Sequence, residues 1–144
     1  MCWGVNDWKG NENLGSFEDG LNPEVESVYA NIRYCIETIM QRNPNLKLIV
    51  ISPVNSRRGV SSNPQTAEHN WGIGYEFNGK TLADFYNAIK EVCEYYGIEF
   101  VDMLYTSVIN RLNIETLLPD EVHPSLEAHI LMGKELAGKI KYGC

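Results

Sequence analysis

Long apolar runs are missing from this sequence of 144 residues. The longest uninterrupted aliphatic stretch is residues 48–51, far short of the ~20 residues a helix needs to cross a bilayer. Positive charge is also scarce. Lys plus Arg number 12 against 19 Asp plus Glu, for a formal net charge of −7. Proteins that track nucleic-acid phosphates normally show a basic surface, so this balance argues against a nucleic-acid partner. It argues equally against a polybasic membrane-surface protein. Cysteine is limited to Cys2, Cys35, Cys93 and Cys144, with no C-x-x-C pair. Neither a zinc knuckle nor a thioredoxin-type site is indicated, while a disulfide stays open. The three histidines, His69, His123 and His129, lack metal-ligand spacing. No glycine-rich phosphate loop is present, which leaves a nucleotide enzyme unsupported.

Hydrophobic residues make up 44% of the chain, enough for a core in one domain over residues 1–144. Residues 1–22 are rich in Gly, Asn and Asp and read as a loop. Asn22-Pro23-Glu24 has the form of a helix start, and Val25, Val28, Ile32, Cys35, Ile36 and Ile39 follow at helical spacing. The run LKLIVIS at 46–52 has the look of a parallel strand covered on both faces. Thr81 caps a second helix with Asp84 as capping-box partner and Gly97 as its stop. Residues 98–103 form a second strand, and Pro124-Ser125 opens a last helix with Leu126, Ile130, Ala137 and Ile140 on its apolar face. Alternating helices and buried strands predict an α/β fold with a parallel sheet. Two strands are few for such a sheet. Met1-Cys2-Trp3-Gly4 reads as the end of a third strand whose body is absent, so the N-terminal strands are expected to be missing.

Residues 53–79 form a long polar stretch, of the kind that is usually functional in a compact domain. Its Trp71, Tyr75 and Phe77 have two readings: they wall a pocket, or they pack the loop onto the body.

Two short motifs carry the chemistry. Gly4-Val5-Asn6-Asp7 sits at the presumed end of the missing strand, where open α/β sheets place their sites. Asp120-Glu121-Val122-His123-Pro124 precedes the last helix. Asp120 and His123 are three apart, close enough for the carboxylate to fold back onto the ring. A carboxylate on one ring nitrogen fixes the tautomer and leaves the other nitrogen as a base. The Asn6 amide suits donation to a developing oxyanion. Taken singly, each motif also reads as ordinary turn chemistry: Asp120 as a turn former, His123 as a surface residue and Asn6 as a turn residue.

Together, Gly4-Val5-Asn6-Asp7-Trp8 and Asp120-Glu121-Val122-His123-Pro124-Ser125 resemble two blocks of the SGNH hydrolase family, also called GDSL esterases and lipases. The resemblance covers essentially the whole chain. It implies a flavodoxin-like three-layer α/β/α sandwich without metal or cofactor. It makes His123 the general base, Asp120 its orienting partner and Asn6 an oxyanion donor. Gly4, Trp8, Trp71 and Tyr75 are expected on the substrate side. The implied substrates are small acyl or acetyl esters, acetylated carbohydrate among them.

The family's Gly-Asp-Ser block has no counterpart here. Leu14-Gly15-Ser16-Phe17 lacks the Asp, Ser125 reads as a helix cap, and no G-x-S-x-G elbow exists. The expectation is the later part of a serine esterase, inactive on its own. Its exposed sheet edge and helix stripes would favour a homo-oligomer. A non-catalytic α/β binding or assembly module on the same scaffold is the alternative.

Overall fold

The computed structural model describes residues 4–22, 24–57, 73 and 76–142. The expected strand end at Met1 to Trp3 lies outside them, as do Pro23, His69, Trp71 and Tyr75. Among the described residues, no helix is long and apolar enough to cross a membrane.

The stretch expected as a loop holds a short helix, α1 (Val5–Gly10), and a 3₁₀ turn, Phe17–Leu21. Helix α1 starts where the Gly4 N–H donates to Asp7 Oδ2 at 2.9 Å, and it stops at left-handed Asn11. So short a helix is not stable by itself. Trp8 secures it, being fully buried with its indole N–H donating to the Lys80 carbonyl at 3.0 Å. Lys80 pairs with Phe77 across Asn78 and Gly79, both at positive φ as a two-residue hairpin turn requires.

Helix α2 (Val28–Arg42) begins later than the Asn22-Pro23 signal predicts. Ser27 is the cap, its Oγ accepting the Ala30 N–H at 3.2 Å. Asn22 instead spends its side chain on its own turn, accepting the Glu24 N–H at 3.0 Å. Strands β1 (Ile49–Ile51) and β2 (Glu99–Val101) are parallel, with Ile49 opposite Glu99 and Ile51 opposite Val101. Both are shorter than their apolar runs. At their carboxyl ends the buried Ser52 hydroxyl accepts the Met103 N–H at 2.7 Å, so a side chain takes over from the ladder.

Between the strands, α3 (Leu82–Tyr96) has the predicted caps. Thr81 Oγ1 accepts the Asp84 N–H at 3.2 Å, Asp84 Oδ2 accepts the Thr81 N–H at 2.7 Å, and Gly97 is left-handed. Its stripe of Leu82, Phe85, Ile89, Val92 and Cys93 is buried against α2 and the sheet, in one core with Trp8, Ile32, Ile36 and Val50. Burial pushes the Cys93 thiol up to about 11. Both Cys35 and Cys93 are free thiols.

A second core lies under α4 (Ile114–Leu117) and α5 (Leu126–Tyr142), built from Ile109, Ile114, Leu117, Leu118 and Ala128. Helix α5 does not bury its predicted stripe: Leu126 is 79% exposed and Ile130 50%. It turns Ala128, Leu131 and Met132 inward instead. Polar ties set that rotation. Lys139 Nζ donates to the Asp102 and Thr106 carbonyls at 2.6 and 2.7 Å, and Glu135 accepts the Val108 N–H at 2.8 Å.

Candidate active site

A cavity of about 450 Å³ opens where three segments meet, lined by residues 4–7, Pro53, Val54, Val122 and His123. Pro53 and Val54 follow β1 after Ser52, the position at which parallel sheets build their sites. Asn6 and His123 therefore face one space although they come from opposite ends of the chain.

Gly4 makes the first wall possible. Its φ is +123°, and a Cβ there would lie 2.9 Å from both Cβ and Cγ of Pro53. Only glycine allows this backbone to turn so close to the proline ring. The following Asp7 caps α1 and so fixes the first turn, from which Asn6 is exposed.

The second wall is the turn at 120–123. Asp120 uses its two carboxylate oxygens differently. Oδ1 accepts the Val122 and His123 backbone N–H groups at 3.1 and 2.7 Å. Oδ2 lies 2.6 Å from His123 Nδ1. The carboxylate assigns the ring its Nδ1–H tautomer and leaves Nε2 as the basic nitrogen. The His123 backbone N–H, then the ring, then the Val122 N–H hold the Asp120 carboxyl down at about 2. The pair sits on the rim, with His123 77% and Asp120 57% exposed. Its hydrogen bonds orient the ring more than they stabilise the fold.

Trp8 departs from its expected place. It is fully buried in the first core, edge-on to Phe77 at 6.4 Å between centroids, and forms no part of the cavity. An indole on the inward face of α1 gains more from burial than a cleft could offer it. Phe77 packs against the same core. Trp71 and Tyr75 fall outside the described residues.

The sequence reading overlooked Pro53, Val54 and Val122 as lining residues. It also overlooked the support of the turn, where Ser56 Oγ and the Arg57 N–H both donate to the Glu121 carbonyl. The available signal was the Ser52-Pro53 end of a buried strand.

A model of the GDSL-like lipase/acylhydrolase family matches residues 1–131. The chain belongs to this family. Solved structures share the fold of this chain. A possible lipase from Chitinophaga pinensis superposes with a TM-score of 0.61 at 26% identity, covering 76% of this chain and 42% of that one. A protein from Lactobacillus plantarum shares the fold, with a TM-score of 0.77, 16% identity, and 99% and 65% of the two chains covered. Another crystal structure reaches a TM-score of 0.80 at 24% identity over 99% of this chain. The chain spans 63% of the length of that neighbour. No curated protein matches the chain. With the parallel sheet and its packed helices, these likenesses make the fold α/β of the GDSL-like type.

Proposed function

We propose that the chain carries the base and part of the oxyanion site of a serine ester hydrolase acting on small acyl or acetyl esters, acetylated carbohydrates among them. One observation carries the reading: the Asp120–His123 pair, 2.6 Å apart, borders the cavity that Asn6 also lines. These 144 residues contain no Gly-Asp-Ser block, so in this reading the nucleophilic Ser comes from a segment that they do not include. The Ser hydroxyl gives its proton to His123 Nε2 as its oxygen attacks the ester carbonyl. The oxyanion is met by the Asn6 amide together with backbone N–H groups. The imidazolium, steadied by Asp120, returns the proton to the departing alkoxide, and water then releases the acyl group by the same base. Val5, Pro53, Val54 and Val122 give the acyl group an apolar wall.

The test is hydrolysis of an aryl acetate. The 144-residue chain should show essentially no turnover, and the longer protein with its Gly-Asp-Ser segment should turn over and lose that activity on His123→Ala. Robust turnover that survives the substitution overturns the mechanism. A reading frame with no Gly-Asp-Ser upstream of Met1 favours the second reading, a non-catalytic module on the same scaffold. The exposed stripe of Leu126, Ile130 and Ile140 supports a homo-oligomer, which light scattering tests.

A further inference from the structure

The turn that carries the dyad is held by a residue far away in the chain. Glu121, between Asp120 and His123, has a φ of +73°. This is left-handed backbone, which a residue with a Cβ enters only at a steric cost. Such strain persists where the surroundings over-determine it. Here the Glu121 carbonyl accepts the Ser56 hydroxyl at 3.1 Å and the Arg57 backbone N–H at 2.7 Å.

The link from this carbonyl to the dyad is mechanical. The Glu121 C=O and the Val122 N–H belong to one rigid peptide plane. Fixing the oxygen from one side aims the N–H on the other, and that N–H donates to Asp120 Oδ1. The next N–H, of His123, donates to the same oxygen. With Oδ1 occupied by backbone, Oδ2 is left to the imidazole at 2.6 Å. Ser56 is itself pinned, being fully buried with its N–H donating to Asn55 Oδ1 at 2.7 Å.

We propose that Ser56 is a positioning residue for the Asp120–His123 dyad, acting through the peptide plane that follows Glu121. This rests on the reading of His123 as base and Asp120 as its orienting partner. Without the Ser56 hydroxyl, Arg57 still satisfies the carbonyl, so folding can proceed. Among the described residues the plane then keeps the Arg57 N–H but not the Ser56 hydroxyl, and the Asp120 carboxylate loses its alignment.

The test is NMR on the 144-residue chain, reading the Asp120 carboxyl carbon and the His123 Nδ1 proton. In Ser56→Ala, the Asp120 titration midpoint should rise from about 2 toward 3.8, and the Nδ1 proton should be lost to solvent exchange. Adding Glu121→Gly removes the cost of the left-handed residue, so the double variant should recover much of both signals. Ser56→Cys, a weaker donor of similar size, should shift both in the same direction by less, and it replaces S56A if that variant fails to fold. A loss of thermal stability with both signals unchanged means a purely structural role and overturns the proposal. Loss of the signals with no recovery in S56A/E121G also overturns it, because Ser56 would then not act through the turn. None of these readouts involves hydrolysis. An inactive longer protein would defeat the esterase reading without touching them.

Discussion

Oδ2 of Asp120 lies 2.6 Å from Nδ1 of His123, while Oδ1 of the same carboxylate takes two backbone N–H groups. One side chain thus folds the turn and orients the ring, and the two tasks are separable by substitution.

If the proposed esterase reading holds, Asp120→Asn in a protein that joins this chain to a Gly-Asp-Ser segment should keep the shape of the turn but offer the ring an amide in place of a carboxylate. A fall in kcat on the order of 10⁴ is expected, with KM little changed. Asn6→Ala should lower kcat by about 10²–10³ by removing one oxyanion donor. Steady-state hydrolysis of an aryl acetate measures both. A change confined to KM would place either residue in ground-state binding only.

Acid should release the turn late. The folded Asp120 carboxyl sits at about 2 against an ordinary 3.8, held there by the His123 and Val122 N–H groups and the His123 ring. Because the folded value is the lower one, its contribution is complete above pH 3.8 and fades as the pH falls through about 2. A carbon-detected titration of the Asp120 carboxyl should give a midpoint near the lower value. A midpoint at 3.8 would show that the three hydrogen bonds do not persist in solution.

Gly4→Ala should damage both fold and site. The new methyl would meet the Pro53 ring at 2.9 Å, with φ held at +123°. A loss of roughly 1–3 kcal/mol is expected from strain and crowding. Denaturant unfolding measures it. If the esterase reading holds, kcat of a protein that carries the Gly-Asp-Ser segment should fall as well, since relief of the clash moves α1 and Asn6 with it.

Arg33 is a buried charge on α2 that ties α3 and the 3₁₀ turn to it. It is 2% exposed, donates to the Tyr96 hydroxyl at 3.0 Å and the Phe17 carbonyl at 2.8 Å, and lies over the Phe17 ring at 4.5 Å. Tyr96 in turn donates to Glu37. Arg33→Ala takes the donor from the Phe17 carbonyl and one of two partners from the Tyr96 hydroxyl, and should cost about 1–3 kcal/mol. Arg33→Lys keeps the charge without the planar fork, so urea unfolding should show only partial recovery.

Local chemistry made much of this molecule legible before its fold was known. Thr81 with Asp84, Gly97, Ser125 with Ala128, and Asp120 with His123 all act across short spans. Interactions of that range depend on spacing, and spacing is written in the chain. The α/β class was legible for the same reason, from alternation of apolar periods.

Other features depend on neighbours that are distant in sequence. Helix α1 was invisible because its propensity is slight and its stability comes from Trp8 entering a core built mainly by α2 and α3. The same burial kept Trp8 out of the cavity lining. Helix α5 chose its inward face through Lys139 and Glu135, which bind the loop after β2, and not through its most regular apolar stripe. The dyad itself is a short-range object, but its setting is not. Ser56 and Glu121 stand 65 positions apart, and the hydrogen bond that joins them exists only once the two cores have packed. Spacing could specify the Asp120–His123 pair. It could not specify the cavity they border, because that required strand ends, a glycine turn and a distant hydroxyl to arrive at one place.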